Sequence, residues 1–173
     1  VSEDVGSTTA DAIIAKLPKT VKVTYKDEDG ADLVVDAAEI VWAADSKFAA
    51  DKVGDYEFVG TVKAPEGLNY TGSAVTVKAA IKIDTLKVIS VDAIADIPAR
   101  VNDVITLPAT VGVTVTGDEK AELAVTWAPA EVNTTAAGSY DFVGTIAGSD
   151  TIDADGKTAA VKVVVYAESA DKA

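Results

Sequence analysis

Two stretches of the chain gather carboxylates beside a glycine: Asp27-Glu28-Asp29-Gly30 and Asp150-Thr151-Ile152-Asp153-Ala154-Asp155-Gly156. Clustered carboxylates in a glycine turn can ligate Ca²⁺ through oxygen. Asp27, Asp29, Asp150, Asp153 and Asp155 are therefore candidate ligands for weakly bound Ca²⁺. Neither stretch completes the loop in which alternating acidic residues lead through a glycine to a downstream glutamate. The first is too compact and the second lacks the glutamate. Solvated hairpin turns are the simpler reading of both.

Other chemistry is narrowly bounded. The 173 residues include no His, Cys or Met. Without imidazole or thiolate, the commonest general base, the thiol nucleophiles and nearly all zinc and redox centres are excluded. The 28 Asp and Glu residues allow, by type, the carboxylate pair of a glycosidase. Such a pair needs a cleft, and a small aliphatic sandwich leaves little room for one. No catalytic residue and no cofactor beyond weak Ca²⁺ is assigned. Asn69-Tyr70-Thr71 and Asn133-Thr134-Thr135 match the glycosylation sequon and read as loops. Tyr70 and Phe48 are the aromatics least explained by core alternation; each is either an exposed sugar-stacking ring or a partly buried loop anchor.

The net charge of −13 opposes nucleic-acid backbones and anionic membranes and attracts cations. With 49% hydrophobic residues the chain is not disordered. No run approaches the roughly 18 apolar residues of a membrane-spanning helix, so no membrane insertion is expected. Val1-Ser2-Glu3-Asp4 has neither a positive n-region nor an apolar h-region and reads as the start of a fragment or processed chain.

What positions these residues is a duplication. Leu17-Pro18-Lys19-Thr20-Val21-Lys22-Val23-Thr24-Tyr25 matches Leu107-Pro108-Ala109-Thr110-Val111-Gly112-Val113-Thr114-Val115 (107 − 17 = 90). Ile40-Val41-Trp42 matches Val125-Thr126-Trp127 (125 − 40 = 85). Gly54-Asp55-Tyr56-Glu57-Phe58-Val59-Gly60-Thr61-Val62 matches Gly138-Ser139-Tyr140-Asp141-Phe142-Val143-Gly144-Thr145-Ile146 (138 − 54 = 84). Ala74-Val75-Thr76-Val77 is matched to Ala160-Val161-Lys162-Val163 (160 − 74 = 86). Blocks in one order with drifting offsets mean whole-domain duplication with loop insertions. The expected boundaries are 1–84 and 85–173.

Within each copy the period is two. Val21, Val23 and Tyr25 alternate with Lys22, Thr24 and Lys26. Val75 to Ile83 and Val161 to Val165 behave alike. β-Branched residues dominate these runs, and turn signals separate them at Asp29-Gly30, Pro65-Glu66-Gly67, Thr116-Gly117-Asp118 and Asp155-Gly156. Many short strands without a sustained helical period indicate an all-β sandwich. Thr9 to Lys16 reads equally as short helix or edge strand, and Ala43 to Lys52 admits a helical turn. The structural core is expected to centre on Trp42, Tyr56 and Phe58 in copy one and Trp127, Tyr140 and Phe142 in copy two. Gly60 and Gly144, inside strand patterns, mark a bulge or a close backbone approach.

The blocks Leu-Pro through Val115, Val125-Thr126-Trp127 and Gly138 to Ile146, repeated as Leu17 to Tyr25, Ile40 to Trp42 and Gly54 to Val62, resemble bacterial immunoglobulin-like domains of group 4 type. The resemblance implies two tandem immunoglobulin-like β-sandwiches, without the disulfide of antibody domains and with no catalytic residues to carry over. It also implies a secreted or cell-surface setting. The expected function is that of structural spacer or assembly modules in a surface-layer-like protein. Its partners would be neighbouring domains or copies of the same protein. The alternative is adhesion to, or accessory binding of, cell-wall or host glycans; an aromatic content of 6% weighs against it. The short stretch Asp84-Thr85 between the copies implies a semi-rigid connection.

Overall fold

A computed structural model describes residues 1–27, 29–64, 66 and 72–167. Glu28, the turn residues Pro65 and Gly67, and the sequon Asn69-Tyr70-Thr71 lie outside the described residues. The chain divides into two compact units, Val1–Asp84 and Thr85–Ala173.

The first unit contains β1 (Ser2–Asp4), α1 (Ala10–Lys16), β2 (Thr20–Lys26), β3 (Asp32–Ala43), β4 (Gly54–Val62) and β5 (Thr76–Asp84). Its sheet order is β1-β5-β4-β3-β2. Strand β3 serves two ladders. Its first part pairs with β2, from Lys26↔Asp32 to Thr20↔Glu39, and its last four residues pair with β4. The sheet therefore curls over its own apolar face. Opposite Lys22, β3 carries the two residues Asp36 and Ala37, a bulge that bends the strand where it changes partner. Strand β1 lies parallel to β5, from Ser2↔Lys82 to Asp4↔Asp84.

The segment read as helix or edge strand is a helix. Thr9 caps it, its Oγ1 accepting the Ala12 N–H at 3.2 Å; Asp11 sits in the first turn and Lys16 in the last. Pro18 ends it by forcing Leu17 into an extended conformation, ψ 155°. Ile13 is fully buried. Residues 44–52, by contrast, form turns and irregular backbone rather than a helical segment, and Ala43 still belongs to β3.

The second unit contains β6 (Leu86–Val91), β7 (Ile97–Arg100), β8 (Thr110–Val115), β9 (Glu119–Ala128), β10 (Gly138–Ile146), β11 (Ile152–Asp153) and β12 (Thr158–Tyr166). The order is β11-β6-β8-β9-β10-β12-β7. Strand β9 repeats the double role of β3, pairing first with β8 and then with β10. Strand β7 lies parallel to β12, as β1 does to β5. Val88, Val113, Val115, Leu123, Phe142 and Val163 are among the residues of one continuous core. The all-β expectation, two immunoglobulin-like sandwiches in tandem, describes both units.

One matched block needs correction. Val77 stands opposite Gly60, and Ala159 opposite Gly144. The last strands therefore align at 159 − 77 = 82, not 86. A slip of four residues leaves a period of two unchanged, so alternation alone could not detect it.

Candidate functional site

The motif residues converge on two locks, each present in both units. Trp42 donates its Nε1–H to the Pro18 carbonyl at 2.7 Å, and Trp127 donates to the Pro108 carbonyl at 2.6 Å. The Leu-Pro block and the tryptophan block are therefore bonded to one another. Across the ladder Trp42 faces Gly60 and Trp127 faces Gly144. A Cβ on Gly60 would stand 2.5 Å from Ile40 Cγ2 and 3.0 Å from Trp42 Cε3; on Gly144 it would stand 2.3 Å from Val125 Cγ2. These glycines are close approaches rather than bulges, since both ladders run through them in register.

The second lock is the tyrosine. Tyr140 donates its hydroxyl to the Ala136 carbonyl at 2.9 Å, and Tyr56 donates to Lys52 at 3.1 Å, in each case four residues upstream. This is the tyrosine corner of immunoglobulin-like sandwiches. Phe58 and Phe142 lie two residues on, fully inside.

Trp42 departs from the core placement read from sequence. Trp127 is 8% exposed, whereas Trp42 is half-buried and packs against the small cluster of Ala38, Ile40 and Val62. The aromatic neighbour of Tyr56 and Phe58 is Phe48, edge-on to both rings at 5.1 and 5.3 Å. Phe48 is thus a loop anchor. The loop is held by Asp45, whose carboxylate accepts the N–H groups of Lys47 and Glu57. Those backbone bonds, the Lys47 bond foremost, hold the Asp45 carboxyl below its ordinary pKa. Nothing in the repeat pointed to Asp45, because the corresponding loop of copy two, between β9 and β10, carries Ala130 at that place (45 − 42 = 130 − 127).

The acidic stretches are built as turns. Asp27 Oδ1 accepts the N–H groups of Asp29 at 3.0 Å and Ala31 at 2.7 Å. Asp153 Oδ1 accepts the Asp155 N–H at 2.9 Å. Asp155 and Gly156 take φ of 52° and 69°, and Lys157 N–H closes the turn on the Ala154 carbonyl. Two successive positive φ values define the type I′ turn that Asp-Gly favours. Asp155 also lies 3.7 Å from Lys87 Nζ, while Asp29 and Asp150 are exposed. Among the described residues no three His, Cys, Asp or Glu side chains are grouped to hold a metal ion.

The Asn133 sequon is described. Asn133 Oδ1 accepts both the N–H and the hydroxyl of Thr135, and buried Thr134 donates to the Asp103 carbonyl at 2.7 Å. The loops 102–105 and 131–135 are clasped together by that bond.

Tandem sandwiches locked at the same Trp, Gly and Tyr positions define an immunoglobulin-like class of module. The chain belongs to the bacterial Ig-like domain (group 4) family, which matches it twice, over residues 3–65 and 87–149. Domains of this family typically occur in extracellular bacterial proteins and are generally non-catalytic. No curated protein matches the chain. Among the described residues no helix is long and apolar enough to cross a membrane.

Proposed function

We propose that the two units are structural spacer and assembly modules of a bacterial cell-surface protein of surface-layer type, located outside the cell and without catalysis of their own. One observation carries the reading: the residues the two copies share are the ones that hold each sandwich closed. Trp127, Gly144, Pro108 and Tyr140 are occupied with one another or with nearby backbone, as are their counterparts in copy one. Duplication has therefore preserved a framework. The partners we assign are neighbouring domains and copies of the same surface protein, and Ca²⁺ bridging acidic surfaces suits a net charge of −13.

The second reading, a glycan-binding accessory or adhesin, is favoured by one observation. Tyr166, at the end of β12, is 58% exposed, enough to offer a ring face. A glycan array together with isolated cell-wall material separates the readings. The spacer reading expects no saturable binding and a monomeric chain in sedimentation. Glycan hits that vanish on Tyr166→Ala or Tyr70→Ala would establish the adhesin instead.

A further inference from the structure

The two copies part company in the loop that follows the tryptophan strand. In the second unit the Asn102 N–H donates to the Thr134 carbonyl at 3.0 Å; in the first the Gly6 N–H donates to the Ala50 carbonyl at 2.7 Å. Counted from that bond the loops align at 134 − 50 = 84, which sets Glu131 against Lys47, Asn133 against Ala49 and Thr135 against Asp51. The run Glu131-Val132-Asn133-Thr134-Thr135 thus belongs to the second unit alone at this place.

Burial alternates along the run. Glu131, Asn133 and Thr135 are exposed, Val132 is half-buried and Thr134 is 7% exposed. The asparagine of the sequon, the hydroxyl two residues after it and a carboxylate two residues before it therefore all reach solvent. Asn133 Oδ1 is engaged by the Thr135 N–H and hydroxyl, at 3.0 and 2.7 Å, while its Nδ2 donates to no group among the described residues. The Thr135 hydroxyl bonds Asn133 only, so an enzyme can take it over without opening the sandwich. Beside Asn133 lies an open groove of about 500 Å³, walled by Val104, Ile105 and Val132. Val104 is 96% exposed. A sugar ring, with C–H groups on its faces and hydroxyls on its rim, can cover such an aliphatic wall and keep its rim in water.

We propose that Asn133 is a site of N-linked glycosylation, taking one oligosaccharide from a lipid diphosphate donor and seating its first sugar against Val104. In the transfer Asn133 Nδ2 bonds to the anomeric carbon of that sugar. The bond from this carbon to the diphosphate oxygen breaks, the lipid diphosphate leaves with the electron pair, and one Nδ2 proton passes to a base of the transferase. Exposed Glu131 offers the transferase a carboxylate for a cationic side chain. The other sequon, Asn69-Tyr70-Thr71, has Gly67 at that place. The proposal rests on the extracellular placement given above. The product carries a bulky hydrated group on one loop of the second sandwich.

The test exports the full chain into a bacterial periplasm that holds an oligosaccharyltransferase and its lipid diphosphate-linked oligosaccharide, beside a known acceptor protein. The expected result is one oligosaccharide on the tryptic peptide 121–157, in which Asn133 is the sole asparagine, with nuclear Overhauser contacts from the first sugar to the Val104 methyls. Thr135→Ala is expected to abolish the transfer and Thr135→Ser to keep it, both with the amide spectrum of the strands unchanged. Glu131→Gln is expected to slow the transfer about tenfold, the loss of one charge-assisted contact. Asn69→Gln is expected to leave it as it was. An unmodified peptide 121–157 beside a modified acceptor protein, a sugar that survives Asn133→Gln, or sugar contacts that miss Val104 would each overturn the proposal. Export is imposed in this experiment, so those outcomes count against Asn133 and leave the surface reading to the glycan array and sedimentation.

Discussion

Trp127 and Gly144 face one another across β9 and β10, and the indole fills the space a side chain at 144 would need. A Cβ there would lie 2.9 Å from both Cε3 and Cζ3. Gly144→Ala should therefore force the ring or Val125 to move, at about 1–3 kcal/mol of overpacking. Gly112→Ala is the control. Its Cβ would meet chiefly the tip of the Asp92 carboxylate, which can swing away, so urea denaturation should show a much smaller loss.

Trp127→Ala should cost roughly 3–5 kcal/mol, the range for emptying a buried large aromatic site. Trp42→Ala should cost clearly less, because that indole is only half-buried. Unfolding followed residue by residue by NMR assigns each loss to its unit; equal losses would contradict the burial difference.

Tyr140→Phe removes only the hydroxyl bonded to Ala136, and the expected loss is about 0.5–1.5 kcal/mol. Amide exchange should accelerate in residues 136–140 first, a local opening that a general loss of packing would not produce.

Asp45 sets a pH dependence in the first unit. Its folded pKa is depressed, chiefly by the Lys47 N–H, so its stabilisation is fully present above the ordinary value of 3.8 and is lost as pH falls through the folded value. Denaturation midpoints measured between about pH 2 and 6 should fall less steeply with acid for Asp45→Asn than for the unaltered chain. Parallel curves would remove Asp45 from the account.

Titration with CaCl₂ should leave the amides of residues 27–31 and 150–157 unmoved at micromolar ion. Asp27 and Asp153 already accept turn N–H groups, and a tight site needs several oxygens converging from a preformed loop. Saturable shifts in either turn would reassign Asp27, Asp29, Asp150, Asp153 and Asp155 as ligands.

The framework was legible because its demands are local and repeated. A repeated tryptophan, a glycine inside a strand pattern, a tyrosine two residues before a phenylalanine, and alternating valines each leave a mark in a single strand. Less was legible where the deciding contact comes from elsewhere. Trp42 and Trp127 sit in nearly identical sequence, yet differ in exposure: Trp127 joins the continuous core of its unit, whereas Trp42 lies against the small cluster of Ala38, Ile40 and Val62. The last strand was misaligned by four residues since its valines and alanines repeat with the pleat. Thr9 to Lys16 stayed ambiguous because its composition suits either state; the Thr9 cap and the Pro18 stop decide it. The acidic turns carried the right residue types for a metal, but whether carboxylates converge on an ion or on their own backbone depends on turn geometry.

The parallel pairing of β1 with β5, and of β7 with β12, has a mechanical consequence. Parallel neighbours run the same way, so opposed tension at the two ends of a unit drags one strand lengthwise past the other. The rungs Ser2↔Lys82 to Asp4↔Asp84, and Ile97↔Val163 to Arg100↔Tyr166, then bear the load together rather than parting one at a time. Rupture under load is governed by the unfolding rate, and breaking a set of rungs at once is slower than opening them as a zip. Each module is clasped where a stretched chain would pull on it.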